Sequence, residues 1–263
     1  MKLSFGRRWP LGFSLSVLLG CAPPPRPPPP PPVPPPEVAA ASCPDGMVAV
    51  AGGMLRMDAR RPEVAVATFC LDRNEVTVDR YNVCIDAGEC PAAPLGTFSA
   101  DGRESFADPA CNTGKFGRGD HPVNCVDWAE ASAFCASKGG RLPTEEELAW
   151  AAQGGPRGTT FPWGNEDERS PNKVERVCWR KGTSFAGTCP VGSFPAGDSP
   201  LGIHDLGGNV WEWTASPYEG RERVIRGGSW ILTSLADMNA RSRYGYLPEV
   251  RDSDLGFRCA RSL

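Results

Sequence analysis

Cysteine is the residue type in this chain with the most chemistry available to it: there are eleven, against only two histidines, His121 and His204. A thiolate can hold a soft metal, attack an electrophile, accept a lipid or pair into a disulfide, and spacing separates these roles. No C-x-x-C occurs and the histidines lie far apart, so a zinc finger or His-rich metal centre is disfavoured. Short separations favour local bridges instead: Cys84 with Cys90, Cys111 with Cys125, and Cys178 with Cys189, each closing a small loop. Cys43, Cys70, Cys135 and Cys259 are left for longer links, whose pairing does not follow from spacing. A framework of this kind belongs to an oxidising compartment.

Three consecutive carboxylates, Glu145, Glu146 and Glu147, have the composition of an acid–base site. Thr144 with Glu147 three residues on is also a capping box, and carboxylates in a first helical turn complement the positive end of the helix dipole, so capping is the preferred reading. Trp163, Trp211, Trp213 and Trp230 would make a stacking platform for sugars or bases, or the packing of a core. Arg241, Arg243, Arg251 and Arg258 alternate with Tyr244 and Tyr246 in a pattern seen in RNA binders, but Glu249, Asp252 and Asp254 interrupt it and imply internal ion pairs. A formal net charge of −3 gives no general attraction to phosphates, so no nucleic-acid partner is expected.

The elements that would position these residues are short. Thr77 is the expected N-cap of a helix running to Asp86 and stopped at Gly88, with Val78, Tyr81 and Ile85 on one face; Asp127 starts a second helix ending near Gly139, and Thr144 a third stopped by Gly154-Gly155. Met47 to Val50, Val64 to Phe69 and Arg223 to Ile225 read as strands. The result is an α+β domain with extensive loops over residues 42–263, with no second linker and no repeat.

The first 41 residues are different. Lys2, Arg7 and Arg8 precede an apolar stretch, Leu11 to Leu19, too short to serve as a permanent membrane span. It ends Leu18-Leu19-Gly20-Cys21, which resembles the bacterial lipoprotein processing box; residues 1–20 are then a signal peptide and Cys21 the lipidated N-terminus. Setting Cys21 aside leaves ten cysteines, an even number that can pair completely. Twelve prolines between Pro23 and Pro36 make residues 21–41 an extended spacer. At about 3.1 Å per residue in polyproline II form it spans roughly 40 Å. The expectation is an exported protein tied to the cell-envelope membrane through Cys21, at the outer membrane because Ala22 is not an inner-membrane retention aspartate.

Six motifs occur in order: His121-Pro122-Val123-Asn124, Gly140-Arg141-Leu142-Pro143-Thr144-Glu145, Phe161-Pro162-Trp163-Gly164-Asn165, Gly207-Gly208-Asn209-Val210-Trp211-Glu212-Trp213, Arg226-Gly227-Gly228-Ser229-Trp230 and Gly256-Phe257-Arg258-Cys259. Together they resemble the formylglycine-generating enzyme, or sulfatase-modifying factor, family from about Met47 to Arg261. The resemblance implies a loop-rich variant C-type-lectin-like fold and a Cys135–Cys259 bridge, which leaves Cys43 for Cys70. It also implies that much of the tryptophan content is core.

Active members of that family hold copper(I) between two cysteines and oxidise a substrate cysteine to formylglycine. The matching positions here are Leu232 and Asp237, a set unsuited to a soft ion, so copper and the oxidase activity are not expected. Structural calcium is the implied cofactor, at Asp205 and Glu212 with the Gly208 and Val210 carbonyls. A second family calcium site maps to Asn172, Lys173 and Phe185, weakened by Thr183 in place of a carboxylate. The expected function is therefore a non-oxidase binding or accessory domain, taking a peptide, glycan or envelope protein near Ser229, Trp230, Leu232 and Asp237. The alternatives are a divergent enzyme using Asp237 as acid, base or ligand, and a calcium-dependent lectin-like module.

Overall fold

Strand β1, Met47–Val50, is the first regular element in the computed structural model, which describes residues 42–57, 62–93, 96–98, 104–166, 175–179 and 187–263. Cys21, the proline tract and the second calcium set, Asn172, Lys173 and Phe185, lie outside the described residues. The regular elements among the described residues all belong to the unit Ala41–Leu263.

The run Val64 to Phe69, read as one strand, is two. After β2 (Gly53–Leu55), β3 (Val64–Val66) pairs back with β2, and β4 (Phe69–Asp72) then pairs with β1. The break has a packing cause. Gly52 sits so close that a Cβ there would lie 2.3 Å from the Val66 carbonyl oxygen, and its N–H donates to Thr68 Oγ1 at 3.1 Å. The crossing backbone occupies the place where a continuous strand would run.

Helix α1 (Val78–Asp86) starts at Thr77, whose hydroxyl accepts from the Arg80 N–H. Its buried residues are Val78, Tyr81 and Cys84. Ile85 is only partly buried, because the Cys84–Cys90 disulfide draws position 84 into the core. Next come a small hairpin, β5 (Gly96–Phe98) with β6 (Glu104–Ala107), and two capped helices, α2 (Trp128–Ser137) and α3 (Glu145–Ala152). Both helices carry complete capping boxes, Asp127 with Glu130 and Thr144 with Glu147. Losing such a cap costs about 1 kcal/mol.

The C-terminal third forms the larger sheet. Strands β7 (Trp211–Pro217), β8 (Arg223–Arg226) and β9 (Arg243–Tyr246) are antiparallel neighbours, and β10 (Leu255–Gly256) lies parallel to β7. The last strand, β11 (Ala260–Ser262), returns to β4, so residues near both ends of the domain share one three-stranded sheet, β1-β4-β11.

Two large apolar clusters fill the interior, with a smaller third around Cys178, Cys189 and Trp230. One joins α1 and α2 to β7, β8 and β10 through Tyr81, Phe134 and Phe257, with Phe134 centred 5.5 Å from each of the other two rings. The other packs α3 under the N-terminal strands through Phe69, Leu148 and Trp150. Buried aromatic donors find carbonyls: Trp213 Nε1 donates to Val126 at 3.1 Å and Trp150 Nε1 to Ala51 at 2.8 Å.

All ten domain cysteines are bridged: Cys43–Cys70, Cys84–Cys90, Cys111–Cys125, Cys135–Cys259 and Cys178–Cys189. Cys135–Cys259, with a sequence separation of 124, ties α2 to the segment entering β11. In the chain-entropy account a loop of that length is worth on the order of 4 kcal/mol.

Candidate functional site

A cleft of about 280 Å³ opens on the face of the larger sheet. Alternation along β9 puts Tyr244 and Tyr246 on one side of the strand, and both line the cleft with Trp211 of β7 and Ile225 of β8. Register explains the grouping: Ile225 lies opposite Tyr244, and the Trp211 and Tyr244 rings meet edge to face with centroids 5.3 Å apart. Ile231 and Leu232, from the loop after the glycine pair, complete the apolar wall.

The other end of the cleft is acidic, formed by Asp252 and Asp254. Their loop is pinned on several sides. The Asp254 carbonyl accepts from Trp211 N–H at 2.8 Å, the Asp252 carbonyl from Cys125 N–H at 3.0 Å, and the Ser253 carbonyl from Trp230 Nε1 at 3.2 Å. Ser229, fully buried, donates its hydroxyl to Asp254 Oδ2 at 2.6 Å.

Burial pushes the Asp254 carboxyl up to about 6; the neighbouring Asp252 charge adds to the rise and the Ser229 hydrogen bond opposes it. Burial likewise raises Asp252, against hydrogen bonds from the Ser253 and Asp254 amides. Tyr246 is raised to about 12 by burial and then by the two aspartates, so it stays a neutral phenol.

Of the four groove residues expected from sequence, Leu232 alone lines this cleft; Ser229 reaches it through Asp254. Trp230 is buried elsewhere, against the Cys178–Cys189 bridge with Ala110 and Phe194. Asp237 sits in a short 3-10 turn, Leu235–Met238. The residues missed are Tyr244, Tyr246, Asp252 and Asp254, whose i, i+2 spacings in a strand and in the following loop were the available signal.

Leu232 and Asp237, expected at the copper positions, carry no thiol, and every cysteine among the described residues is in a disulfide, so no thiolate is available to copper(I). The residues do not fit that ion.

At the expected calcium positions both carboxylates already have partners within the protein. Glu212 has both carboxylate oxygens on Arg258, at 2.7 Å each, and the pair is sealed from solvent. Asp205 Oδ2 accepts from Gly192 N–H at 2.6 Å, while Val210 N–H donates to the buried Glu75 at 3.3 Å. Among the described residues no group of three or more His, Cys, Asp or Glu is arranged to hold a metal. The guanidinium already takes up the negative charge that Glu212 would offer a cation, so Glu212 as paired here does not fit the role of a free calcium ligand. Burial, then Asp205 and Glu212, raises Glu75 well above the ordinary carboxylate range.

Three of the four arginines of the C-terminal stretch, Arg243, Arg251 and Arg258, form internal ion pairs, while Arg241 is exposed. Arg243 binds Glu145 at 2.5 and 2.9 Å, Arg226 joins the same carboxylate at 2.8 Å, and Arg251 bridges Asp127 and Glu130. Glu145 therefore does more than complement the dipole of α3: it ties that helix to β8 and β9. Trp211, Trp213 and Trp230 are buried, and Trp163 stacks on Phe161 with centroids 4.9 Å apart.

Residues 34–263 match the family described as the sulfatase-modifying factor enzyme 1-like domain. The chain belongs to the sulfatase-modifying factor family. It is 43% identical over 152 residues to the inactive C-alpha-formylglycine-generating enzyme 2 of Bos taurus, covering 54% of this chain and 50% of that one. To the formylglycine-generating enzyme of Thermomonospora curvata it is 28% identical over 285 aligned positions, 82% of this chain and 93% of the relative. The chain spans about half the length of the inactive relatives. The structure of PvdO from Pseudomonas aeruginosa superposes with a TM-score of 0.64 over 82% of this chain and 94% of that one, at 24% identity. The sulfatase-modifying factor fold is thus present throughout the described domain, loop-rich and mixed α+β, with its short elements held by five disulfides.

Proposed function

We propose that this sulfatase-modifying factor domain is a non-oxidase member that works by binding, as an accessory domain of the cell envelope. One observation carries the reading: Leu232 and Asp237 stand at the copper positions while all ten domain cysteines are consumed in disulfides. Relatives whose names mark them as inactive support it. In the same proposal the chain is exported, processed before Cys21 and lipid-anchored there, with the proline tract holding the domain away from the outer membrane. The binding surface is the cleft walled by Trp211, Tyr244 and Tyr246, and its ligand class is a peptide or an envelope partner.

The test is to load the full chain with copper(I), desalt it, measure bound copper, and incubate it with a cysteine-containing peptide. The expected result is no retained copper and no loss of substrate thiol. Stoichiometric copper with conversion of the cysteine to formylglycine overturns the reading. Replacing Cys21 with alanine should abolish labelling by fatty acid and release the protein from the membrane fraction; retained labelling removes the anchor from the proposal.

A further inference from the structure

The cleft combines two features that an ordinary apolar groove lacks. Its walls are aromatic faces and edges, from Trp211, Tyr244 and Tyr246, and its inner end carries two carboxylates, Asp252 and Asp254. Among the described residues neither aspartate has an ion pair; the Ser229 hydroxyl is the one side-chain donor from another residue that reaches Asp254. The charges weighing on Asp254 are Asp252 and Asp108, both negative.

The nearby arginines have partners of their own; Arg223, across the register from Tyr246, lies over the Trp128 ring at 4.3 Å and donates to the Ala215 carbonyl at 3.3 Å. Arg243 and Arg226 hold Glu145, Arg251 holds Asp127 and Glu130, and Arg241 donates to the Gly158 carbonyl. Among the described residues, then, two carboxylates share a partly desolvated cleft and neither is held in an ion pair. Buried charge is costly unless paired, so an external cation completes the site.

Size narrows the class. At about 280 Å³ the cleft lies just under the volume range of small-molecule pockets, enough for a side chain or a short amine. The rim residues Tyr244 and Ile231, 52% and 46% exposed, leave the mouth accessible. Aromatic rings receive both the methylene stem and the positive charge of an alkylammonium, and carboxylates accept its N–H donors.

We propose that this cleft binds an alkylammonium group, with the apolar stem against Trp211, Tyr244 and Tyr246 and the nitrogen at Asp252 and Asp254. The chemistry is shared by a lysine side chain on a peptide and by a free aliphatic amine. This inference rests on the binding function proposed for the domain and names the ligand class of that site.

The experiment titrates the full 263-residue chain and follows tryptophan fluorescence, since Trp211 forms the wall. The probes are Nα-acetyl-lysine methylamide, cadaverine and the uncharged isostere Nα-acetyl-norleucine methylamide. Saturable binding of the charged probes and none of the norleucine derivative is expected. Tighter binding of the lysine derivative identifies a peptide source and tighter binding of the diamine a free amine; either supports the shared chemistry. Asp252→Asn and Asp254→Asn should each weaken binding about tenfold, as loss of a charge-assisted contact does. Tyr244→Ala, at the exposed rim, provides a second variant independent of the pinned aspartate loop and should also weaken binding.

Equal binding of norleucine and lysine derivatives, no saturable binding of either amine, or unchanged affinity in folded Asp252→Asn/Asp254→Asn protein overturns the proposal. Failure here with no oxidase activity leaves the non-oxidase reading standing. Oxidase activity in the copper assay removes that reading whatever the amines do.

Discussion

Arg258 and Glu212 form a bidentate pair with both guanidinium-to-carboxylate contacts at 2.7 Å and essentially no solvent exposure. The remaining Arg258 donors go to the Asp72, Arg73 and His204 carbonyls, so one side chain gathers β4, the loop before β7 and the segment before β11. Replacing either partner leaves an uncompensated buried charge. Arg258→Ala or Glu212→Ala should each cost about 3–5 kcal/mol, read from urea denaturation of the folded chain. A loss under about 1 kcal/mol, as at an exposed pair, would contradict this account.

The cleft carboxylate makes stability fall as pH rises. Asp254 has a folded-state value of about 6 against an ordinary 3.8, so the folded protein holds this proton more tightly than the unfolded chain. Its stabilising contribution is fully present below about pH 4 and is lost as pH rises through about 6, on the order of 3 kcal/mol in all. Asp254→Asn should therefore raise stability at pH 7.5 more than at pH 4.5, compared by thermal melts at both pH values. An equal effect at the two values would show that Asp254 titrates normally. Occupation of the cleft by an ammonium reverses the preference, and binding should strengthen through the same interval.

Ten bridged cysteines predict that non-reducing peptide mapping of residues 42–263 recovers the five pairs and no free thiol. Removing the longest bridge with Cys135→Ala/Cys259→Ala should cost on the order of 4 kcal/mol, well above the cost of removing Cys84–Cys90. Two or more free cysteines in the purified domain would contradict the pairing.

The copper positions invite a gain-of-site variant. Leu232→Cys/Asp237→Cys introduces two thiols where the family carries its ligands, and the doubly substituted chain should retain about one copper(I) after desalting while the parent retains none. Equal copper in the two proteins would show that positions 232 and 237 are not the family's site in this chain.

Local chemistry was legible along the chain. Thr77, Asp127 and Thr144 start the three helices, because a cap is decided within four residues. The short-range cysteine pairs are equally local, since a closed loop of a few residues holds its ends together whatever surrounds it. Ordered motifs identified the family.

Other features depended on which distant segments meet. Val64 to Phe69 has one apolar pattern, yet Gly52, pressed against it from another part of the chain, divides it between two sheets. Asp252 and Asp254 looked like charges interrupting a basic tail. The arginines Arg243 and Arg251 pair instead with Glu145, Asp127 and Glu130, more than 90 positions away, and among the described residues neither aspartate has an ion pair. Sequence by itself determined the family, the helix starts and the cysteine inventory, all carried by residue identity or short-range geometry. The tertiary structure alone decided which charges are neutralised and which face a cleft, because charge pairing between distant segments is set by how the sheets and helices pack.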